Sequence, residues 1–318
     1  MSTATPVATP VDFETHGDYV IKSSTSRTGA FNRPKYSFQG RITADGSSGF
    51  KAEPGRYHLY VSYACPWAHR AVIVRALKGL EDVVTMSAVD PVRDGRGWAF
   101  REGDNHGPDP VNGFRLLREG YEASEPGYDR HVSVPVLWDR ETHQIVSNNF
   151  PDITLDLNSE FNEWSTSDLD LYPEPLRPEI DLLNDLIYRT VNNGVYRAGF
   201  ATTQQAHADA VTTLFQTLDT LETRLADSPY LLGESLTEAD IRLWVTLARF
   251  DTVYHTHFKT NLHRLTDYKN LWPYTRRLYA IPAFHTTTDF THIKTHYYTT
   301  HPNLNPSRIV PLGPILDW

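Results

Sequence analysis

The sequence predicts an α/β domain followed by an all-α domain, and three features of the chain indicate this fold class. The first half contains short apolar runs typical of strands, one of which ends at a Cys-Pro pair followed by helical periodicity. The second half contains leucines repeated at helical spacing. With 318 residues, the chain is long enough for two domains of ordinary size, each with its own core.

The α/β domain is predicted over residues 51–165. A strand in RYHLYVSYA leads to a helix that begins at Pro66, because proline suits the first helical turn. A second strand is predicted over 83–89 and a hairpin over 133–147. Strand, helix, strand and hairpin follow in the order of a thioredoxin-like sheet. The connection 90–131 is long, and such connections are generally functional or disordered.

The all-α domain is predicted over residues 177–290, after a proline-rich linker at 168–178. Two apolar stripes at helical spacing support it, namely Leu182, Leu183, Leu186 and Ile187, then Leu214, Leu218, Leu221 and Leu225. Thr237, with Asp240 three residues later, is typical of a helix N-cap.

The two ends of the chain are predicted to pack on these domains. Residues 1–50 are rich in Ser, Thr, Gly and Pro and lack sustained periodicity, so we expect an extended arm without catalytic residues. Residues 291–318 are predicted to form a C-terminal tail whose apolar positions serve packing rather than chemistry.

The composition excludes several classes of function. A formal charge of -9 leaves no basic face for a phosphate backbone, so we expect no nucleic-acid partner. The apolar runs are too short to cross a bilayer, and the N-terminus lacks the features of a secretory signal. We therefore expect a soluble, cytoplasmic protein without a membrane partner, and a single cysteine fits that reducing compartment.

The candidate nucleophile is Cys65, the single cysteine of the chain. At a strand-to-helix turn, backbone N–H groups and the helix dipole stabilise a thiolate, which predicts a lowered pKa. A buried, inert cysteine is the alternative, but the neighbouring Pro66, Trp67, His69 and Arg70 make a poor core environment. Without a second cysteine, a mixed disulfide here needs an external thiol. The sequence thus predicts a low-molecular-weight thiol co-substrate and no tightly bound cofactor.

The 14 histidines do not predict a metal site. His292 and His296 have the i,i+4 spacing of metal ligands on one helix face, but no cysteine or acidic partner completes such a site. We predict no metal and interpret them as surface or aromatic-site histidines.

Five sequence blocks occur in order between about residue 35 and the C-terminus. They are YACPWAHR at 63–70, GW-x-F at 97–100, VPVLWD at 134–139, NGVYRAGF at 193–200, and a tail with HYY at 296–298, NP at 305–306 and IVPLGP at 309–314. Together they resemble glutathionyl-hydroquinone reductases, the Xi class of glutathione transferases.

The resemblance implies a reaction and three catalytic residues. Cys65 would attack the sulfur of a thioether-linked hydroquinone, release the reduced aromatic and keep the thiol as a mixed disulfide that a second thiol frees. Tyr196 and Tyr297 would hydrogen-bond the hydroquinone oxygens and transfer a proton. The resemblance also leads us to expect a homodimer joined largely through the helical domain.

The resemblance further implies residues that bind the thiol. Trp98 would cover its peptide-like part, and Arg130 would offer charge to a carboxylate. Val134 would pair its backbone with the cysteinyl unit, before an expected cis peptide at Pro135.

One position departs from the family pattern. Asn149 and Phe150 stand where a Glu-Ser pair normally binds the γ-glutamyl group of glutathione. Either Asn149 and Asp152 partly replace the lost contacts, or the natural thiol lacks a γ-glutamyl group, mycothiol being the obvious candidate. The second interpretation is slightly favoured.

Two alternatives to the reductase stay open. A general, omega-like dethiolase would use Cys65 with little need for Tyr196 or Tyr297. A non-catalytic, transferase-like binding module would typically have lost the nucleophile, which is present here.

Overall fold

The computed structural model describes residues 5–20 and 24–318. Its N-terminal part, for which an extended arm is predicted, contains one short helix and one two-stranded antiparallel ribbon. These elements are α1 (Phe13–His16), β1 (Ser24–Thr25) and β2 (Phe31–Asn32).

A four-stranded sheet with three helices follows the arm. Its elements are β3 (Tyr57–Val61), α2 (Pro66–Leu77), β4 (Thr85–Ala88), α3 (Leu117–Ser124), β5 (Val136–Asp139), β6 (Gln144–Ser147) and α4 (Phe150–Ser159). The strand order is β4-β3-β5-β6, with β3 and β4 parallel and the other pairs antiparallel. The predicted thioredoxin-like order is confirmed, whereas α3, inside the long connection, was not predicted.

The helical part contains the remaining elements. They are α5 (Arg177–Ile187), α6 (Gly194–Gly199), α7 (Gln204–Arg224), α8 (Glu238–Arg249), α9 (His255–His257), α10 (Leu271–Tyr279), α11 (Pro282–His285) and α12 (Phe290–Thr300). Wide π-helical turns at Tyr188–Asn192 and Phe250–Tyr254 follow α5 and α8, and short 3-10 turns lie at Glu174–Leu176 and Leu265–Asp267. The predicted all-α architecture is confirmed, and α12 crosses the boundary predicted at residue 291.

Helix α2 lies at the interface between the α/β part and the helical part. Every residue from Pro66 to Arg75 is buried, because α2 packs against α4 on one side and α8 of the helical part on another. A helix buried on several sides, with even His69, Arg70 and Arg75 inside, is typical of such a central position. The residue at its N-terminus therefore lies close to both parts of the molecule.

Two local predictions in the helical part have different outcomes. The N-cap at α8 is confirmed, since the Asp240 carboxylate accepts a 2.8 Å hydrogen bond from the backbone N–H of Thr237. The stripe on α5 is narrower than predicted, because Leu183 and Ile187 are buried but Leu182 is 73% exposed.

Within residues 5–20 and 24–318, no helix is long and apolar enough to cross a membrane.

Candidate active site

Cys65 is the N-cap residue of α2, directly after the turn that ends β3. The backbone N–H groups of Trp67 and Ala68 face its sulfur. Its thiol donates to the carbonyl oxygen of Val134 over 3.5 Å. The peptide bond between Val134 and Pro135 is cis, as expected. The candidate nucleophile thus lies at a helix N-terminus, facing the segment that enters β5.

Four of the predicted site residues share a pocket with Cys65. Tyr196 from α6 and Tyr297 from α12 form its helical wall, and Trp98 and Val134 line it from the α/β part. All four are more than nine-tenths buried. The structure therefore brings together residues that lie up to 232 positions apart, Cys65 and Tyr297.

The N-terminal arm supplies residues to this pocket that the sequence did not predict. Phe31, Arg33 and Tyr36 all line it. Arg33 donates from Nε to Asn193 Oδ1 at 3.0 Å, which fixes the arm to the start of α6. The remaining cavity has a volume of about 90 Å³, small beside the 300–1,000 Å³ typical of small-molecule sites. The arm thus narrows the pocket over the cysteine.

The desolvation of Cys65 in this pocket corrects the expectation of a lowered thiol pKa. Burial raises the pKa of the Cys65 thiol above its ordinary value. The N–H groups of Trp67 and Ala68 and the charges of Arg249 and Arg33 act in the opposite direction, but burial outweighs them. The thiol is therefore protonated at neutral pH, which agrees with its donation to a carbonyl oxygen.

The pH dependence of Cys65 alkylation measures the balance between burial, which raises the thiol pKa, and the N–H groups and charges that lower it. We expect iodoacetamide to label Cys65 with a midpoint above about 8.5, the value of an unperturbed thiol. Arg33→Gln should raise the midpoint further, because it removes a positive charge that favours the thiolate. Arg189→Gln, at an exposed ion pair on the π turn after α5, should leave it unchanged. A wild-type midpoint below about 8 would show that the helix N-terminus outweighs burial.

The hydroxyl groups of three tyrosines form a chain beside the cysteine pocket. Those of Tyr196 and Tyr297 are hydrogen-bonded to each other, and that of Tyr254 lies 3.1 Å from the hydroxyl of Tyr297. Burial raises the pKa of all three phenols, so they are neutral and able to donate. Tyr254 lies in the π turn after α8, and no sequence signal pointed to it.

Two predicted thiol-binding residues lie outside this pocket. Arg130 is half exposed, pairs with Glu125 at 2.5 Å and lines a neighbouring open groove with Tyr36. Asn149 is the N-cap residue of α4, and its amide donates to the carboxylate of Asp152 at 2.7 Å. Their binding roles stay predictions, with Arg130 at the rim and Asn149 directed towards its own helix.

An aromatic cluster occupies the corner where the family has its Glu-Ser pair. Phe150 is 1% exposed, and its ring centroid lies 4.8 Å from that of Trp67 and 5.5 Å from that of Tyr36. The guanidinium of buried Arg70 lies 4.6 Å from the Phe150 ring centroid. The ring of Tyr188 completes the cluster. This corner presents apolar faces, and the neighbouring carboxylate of Asp152 is bonded to the amide of Asn149.

The two histidines at i,i+4 spacing on α12 are buried, which corrects the surface interpretation. His292 Nε2 lies 2.6 Å from the carbonyl oxygen of Asp104, and His296 Nδ1 lies 2.7 Å from that of Pro91. The His296 ring also stacks on Trp98 at 5.1 Å, in agreement with an aromatic-site role. Among the described residues, no group of three or more His, Cys, Asp or Glu is placed to hold a metal ion.

Arg249 fixes the turn that presents Cys65. Its buried guanidinium donates to the carbonyl oxygens of Tyr63 at 2.8 Å and Ala64 at 3.0 Å, and lies 3.2 Å from His69 Nδ1. Because Arg249 ends α8, these contacts hold the cysteine turn to the helical part.

Comparisons with known proteins agree with this geometry. Residues 64–160 match the model of the glutathione S-transferase N-terminal domain, and residues 204–277 match that of the C-terminal domain. The chain is 47% identical to the glutathionyl-hydroquinone reductase PcpF of Sphingobium chlorophenolicum, over 93% of this chain and 92% of that protein. It is 44% identical to the glutathionyl-hydroquinone reductase YqjG of Escherichia coli, over 96% of this chain and 95% of that protein.

A solved structure shows the same likeness in three dimensions. The glutathione S-transferase Xi of Phanerochaete chrysosporium superposes with a TM-score of 0.89 at 49% identity, covering 92% of this chain and 95% of that one. The chain therefore belongs to the glutathionyl-hydroquinone reductase family, the Xi class of glutathione transferases, and is an enzyme of this thiol-dependent kind.

Proposed function

We propose that this enzyme removes the thiol from S-conjugated hydroquinones through a mixed disulfide on Cys65, which a second low-molecular-weight thiol resolves. One observation supports the proposal: the sulfur of Cys65 and the neutral phenols of Tyr196 and Tyr297 line the same pocket. The pocket thus combines a nucleophile with proton donors for an aromatic that carries hydroxyl groups.

In the first step the Cys65 thiolate attacks the sulfur of the conjugate. The bond between that sulfur and the ring carbon breaks while the new sulfur–sulfur bond forms. The ring carbon leaves with the electron pair and takes up one proton, which yields the free hydroquinone. The conjugated sulfur is oxidised to a disulfide and the ring is reduced, so the two electrons balance.

In the second step a free thiol restores the enzyme. Its thiolate attacks the mixed disulfide, forms a small-molecule disulfide and releases the Cys65 thiolate. Because the chain has no second cysteine, no internal thiol can take this role. The charges of Arg33 and Arg249 favour the thiolate each time it forms.

The hydrogen-bonded tyrosine chain supports proton transfer to the aromatic. Tyr196 and Tyr297 both face the pocket, and Tyr254 contacts Tyr297 from behind it. A donor that loses its proton to the substrate can draw on the next hydroxyl in the chain. Tyr254 is therefore a positioning residue for the two phenols that would touch the ring.

We further propose that the natural thiol lacks a γ-glutamyl group, as mycothiol does. The amide of Asn149 is already bonded to Asp152, and Phe150 is packed inside aromatic side chains. Neither can supply the two charge-assisted contacts of a Glu-Ser pair, each worth about 1.5–3 kcal/mol. YqjG has been solved with glutathione bound, so glutathione is the thiol with which mycothiol must be compared.

Parallel assays with two thiols test this part of the proposal. The enzyme receives glutathionyl-hydroquinone with glutathione, or mycothiolyl-hydroquinone with mycothiol, and hydroquinone release is followed. We expect kcat/KM for the mycothiol pair to be higher by about 10² or more, the loss that two missing contacts imply. Equal or better turnover with the glutathione pair would show that the missing Glu-Ser pair is compensated.

The tyrosines separate the reductase from a general dethiolase. We expect the double variant Tyr196→Phe/Tyr297→Phe to lose about 10²-fold or more in hydroquinone release, because both proton donors are removed. Reduction of a simple mixed disulfide such as an S-thiolated cysteamine should be nearly unchanged, since it needs Cys65 alone. Parallel losses on both substrates would favour a structural role, and no loss on either would favour the dethiolase.

We also propose that the enzyme is a homodimer joined through the helical domain and that it is located in the cytoplasm. Light scattering of the purified protein tests the first, because a homodimer has twice the mass of the 36.2 kDa chain.

A further inference from the structure

Arg93 is a buried cation whose charge has no acidic partner within residues 5–20 and 24–318. It lies in the connection after β4, is 6% exposed and lines the cysteine pocket. Its guanidinium carbon lies 4.2 Å from the ring centroid of Trp98 and 3.8 Å from that of Tyr19. Its Nη2 lies 3.4 Å from His296 Nε2, and its buried Nε has no hydrogen-bond partner among the described residues.

The acidic residues nearest to Arg93 in sequence are paired with other arginines. Asp90 binds Arg101 at 2.9 Å, and Asp94 binds Arg96 at 2.6 Å. Asp94 also accepts from the backbone N–H of Asp12. These carboxylates are therefore committed to holding the connection and the arm together.

Arg33 places a second guanidinium in the same pocket. Its guanidinium carbon lies 4.5 Å from the ring centroid of Trp67 and 4.6 Å from that of Tyr196, and its buried Nη2 has no hydrogen-bond partner in the described part of the chain. In the parts of the chain that the structure describes, neither Arg33 nor Arg93 has a carboxylate oxygen within 4.0 Å. The lining of the pocket contains no acidic residue.

Buried Arg93 and half-buried Arg33 bring two positive charges to one cavity, and burying such charge is costly unless an anion enters the cavity. The protonated thiol of Cys65 does not supply that anion at rest, because burial raises its pKa. Guanidinium groups bind carboxylates through directed N–H donors, and both arginines have such donors available in the pocket.

We infer that Arg33 and Arg93 form an anion-binding subsite for an acidic group, such as a carboxylate, carried by the aromatic substrate. Arg33 packs on the ring of Tyr196, and the charge of Arg93 acts on Cys65, Tyr196 and Tyr297 together. The subsite therefore adjoins the proposed ring position. The inference rests on the proposed function, whose substrate class it narrows to acidic hydroquinones.

A matched substrate pair tests the subsite by activity. The probes are thiol conjugates of 2,5-dihydroxybenzoate and of its methyl ester, which differ in charge and not in the reacting bond. We expect kcat/KM for the acid to exceed that for the ester by about tenfold or more. Arg93→Gln and Arg33→Gln should each bring the ratio close to one, and the control Arg189→Gln should keep it. A wild-type ratio of one or below would overturn the inference.

A binding measurement separates this inference from the proposed function. Calorimetry of the Cys65→Ser protein with unconjugated 2,5-dihydroxybenzoate and its ester needs no turnover. Tighter binding of the acid than of the ester, lost in Arg93→Gln, supports the subsite. This holds even if neither conjugate is turned over, because a lack of turnover would contradict only the proposed function. The same measurement is made with glutathione and its diester. If the charged form binds more tightly in this thiol pair and not in the aromatic pair, the anion lies on the thiol and the inference is overturned.

Discussion

Cys65→Ser should abolish hydroquinone release from the thiol conjugate, with a fall of about 10³-fold or more in kcat. The serine hydroxyl is not ionised at neutral pH and cannot form the sulfur–sulfur bond that the first step requires. Oxygen and sulfur differ little in size at this helix N-cap, so the fold should persist. Circular dichroism and thermal unfolding of the variant check that the loss is chemical.

The wild-type enzyme provides the matching positive result. With conjugate but no free thiol, we expect release of one hydroquinone per Cys65 and an intact mass raised by one bound thiol. Added thiol should then restore both turnover and the original mass. Sustained release by Cys65→Ser, or wild-type turnover without any adduct, would contradict a covalent role for the cysteine.

Arg249→Met should produce the largest loss of stability among single changes outside the pocket. The guanidinium of Arg249 is fully buried and donates to the carbonyl oxygens of Tyr63, Ala64 and Val245. Methionine fills much of the volume but leaves the carbonyl oxygens of Tyr63 and Ala64 without this donor, at about 1–3 kcal/mol each, whereas that of Val245 keeps its backbone hydrogen bond within α8. We expect the free energy of unfolding to fall by about 3 kcal/mol or more, measured as a lower urea midpoint.

The same variant should also slow the labelling of Cys65. Arg249 is one of the charges that favour the thiolate, so its removal raises the thiol pKa further. Arg189→Met is the matched control, because its exposed ion pair with Asp185 contributes only about 0.5 kcal/mol. Unchanged stability and unchanged labelling in Arg249→Met would show that the cysteine turn is held by other contacts.

The sequence by itself determined the α/β sheet, the helical domain and the position of the candidate nucleophile at a helix start. Each depends on local order along the chain. A buried strand ends just before Cys65, proline begins the next helix, and Thr237 with Asp240 begins another. Such signals are readable because strand alternation, helical spacing and caps act between residues close in sequence.

Local patterns also misjudged some positions. Leu182 matches the helical stripe by spacing, yet it is exposed, because the width of the buried face depends on what packs against α5. Helix α3 was not predicted because the Gly- and Pro-rich composition of the surrounding connection obscured its short run.

Only the tertiary structure decided which distant side chains meet at the cysteine. Arg33 comes from an arm without periodicity, Arg93 from a long connection, and Tyr254 from a π turn, so nothing in their local sequence marks them. The pKa of Cys65 depends on the same long-range packing. Helix position favours the thiolate, but desolvation by the residues packed around the thiol outweighs it, and desolvation is a property of the folded chain.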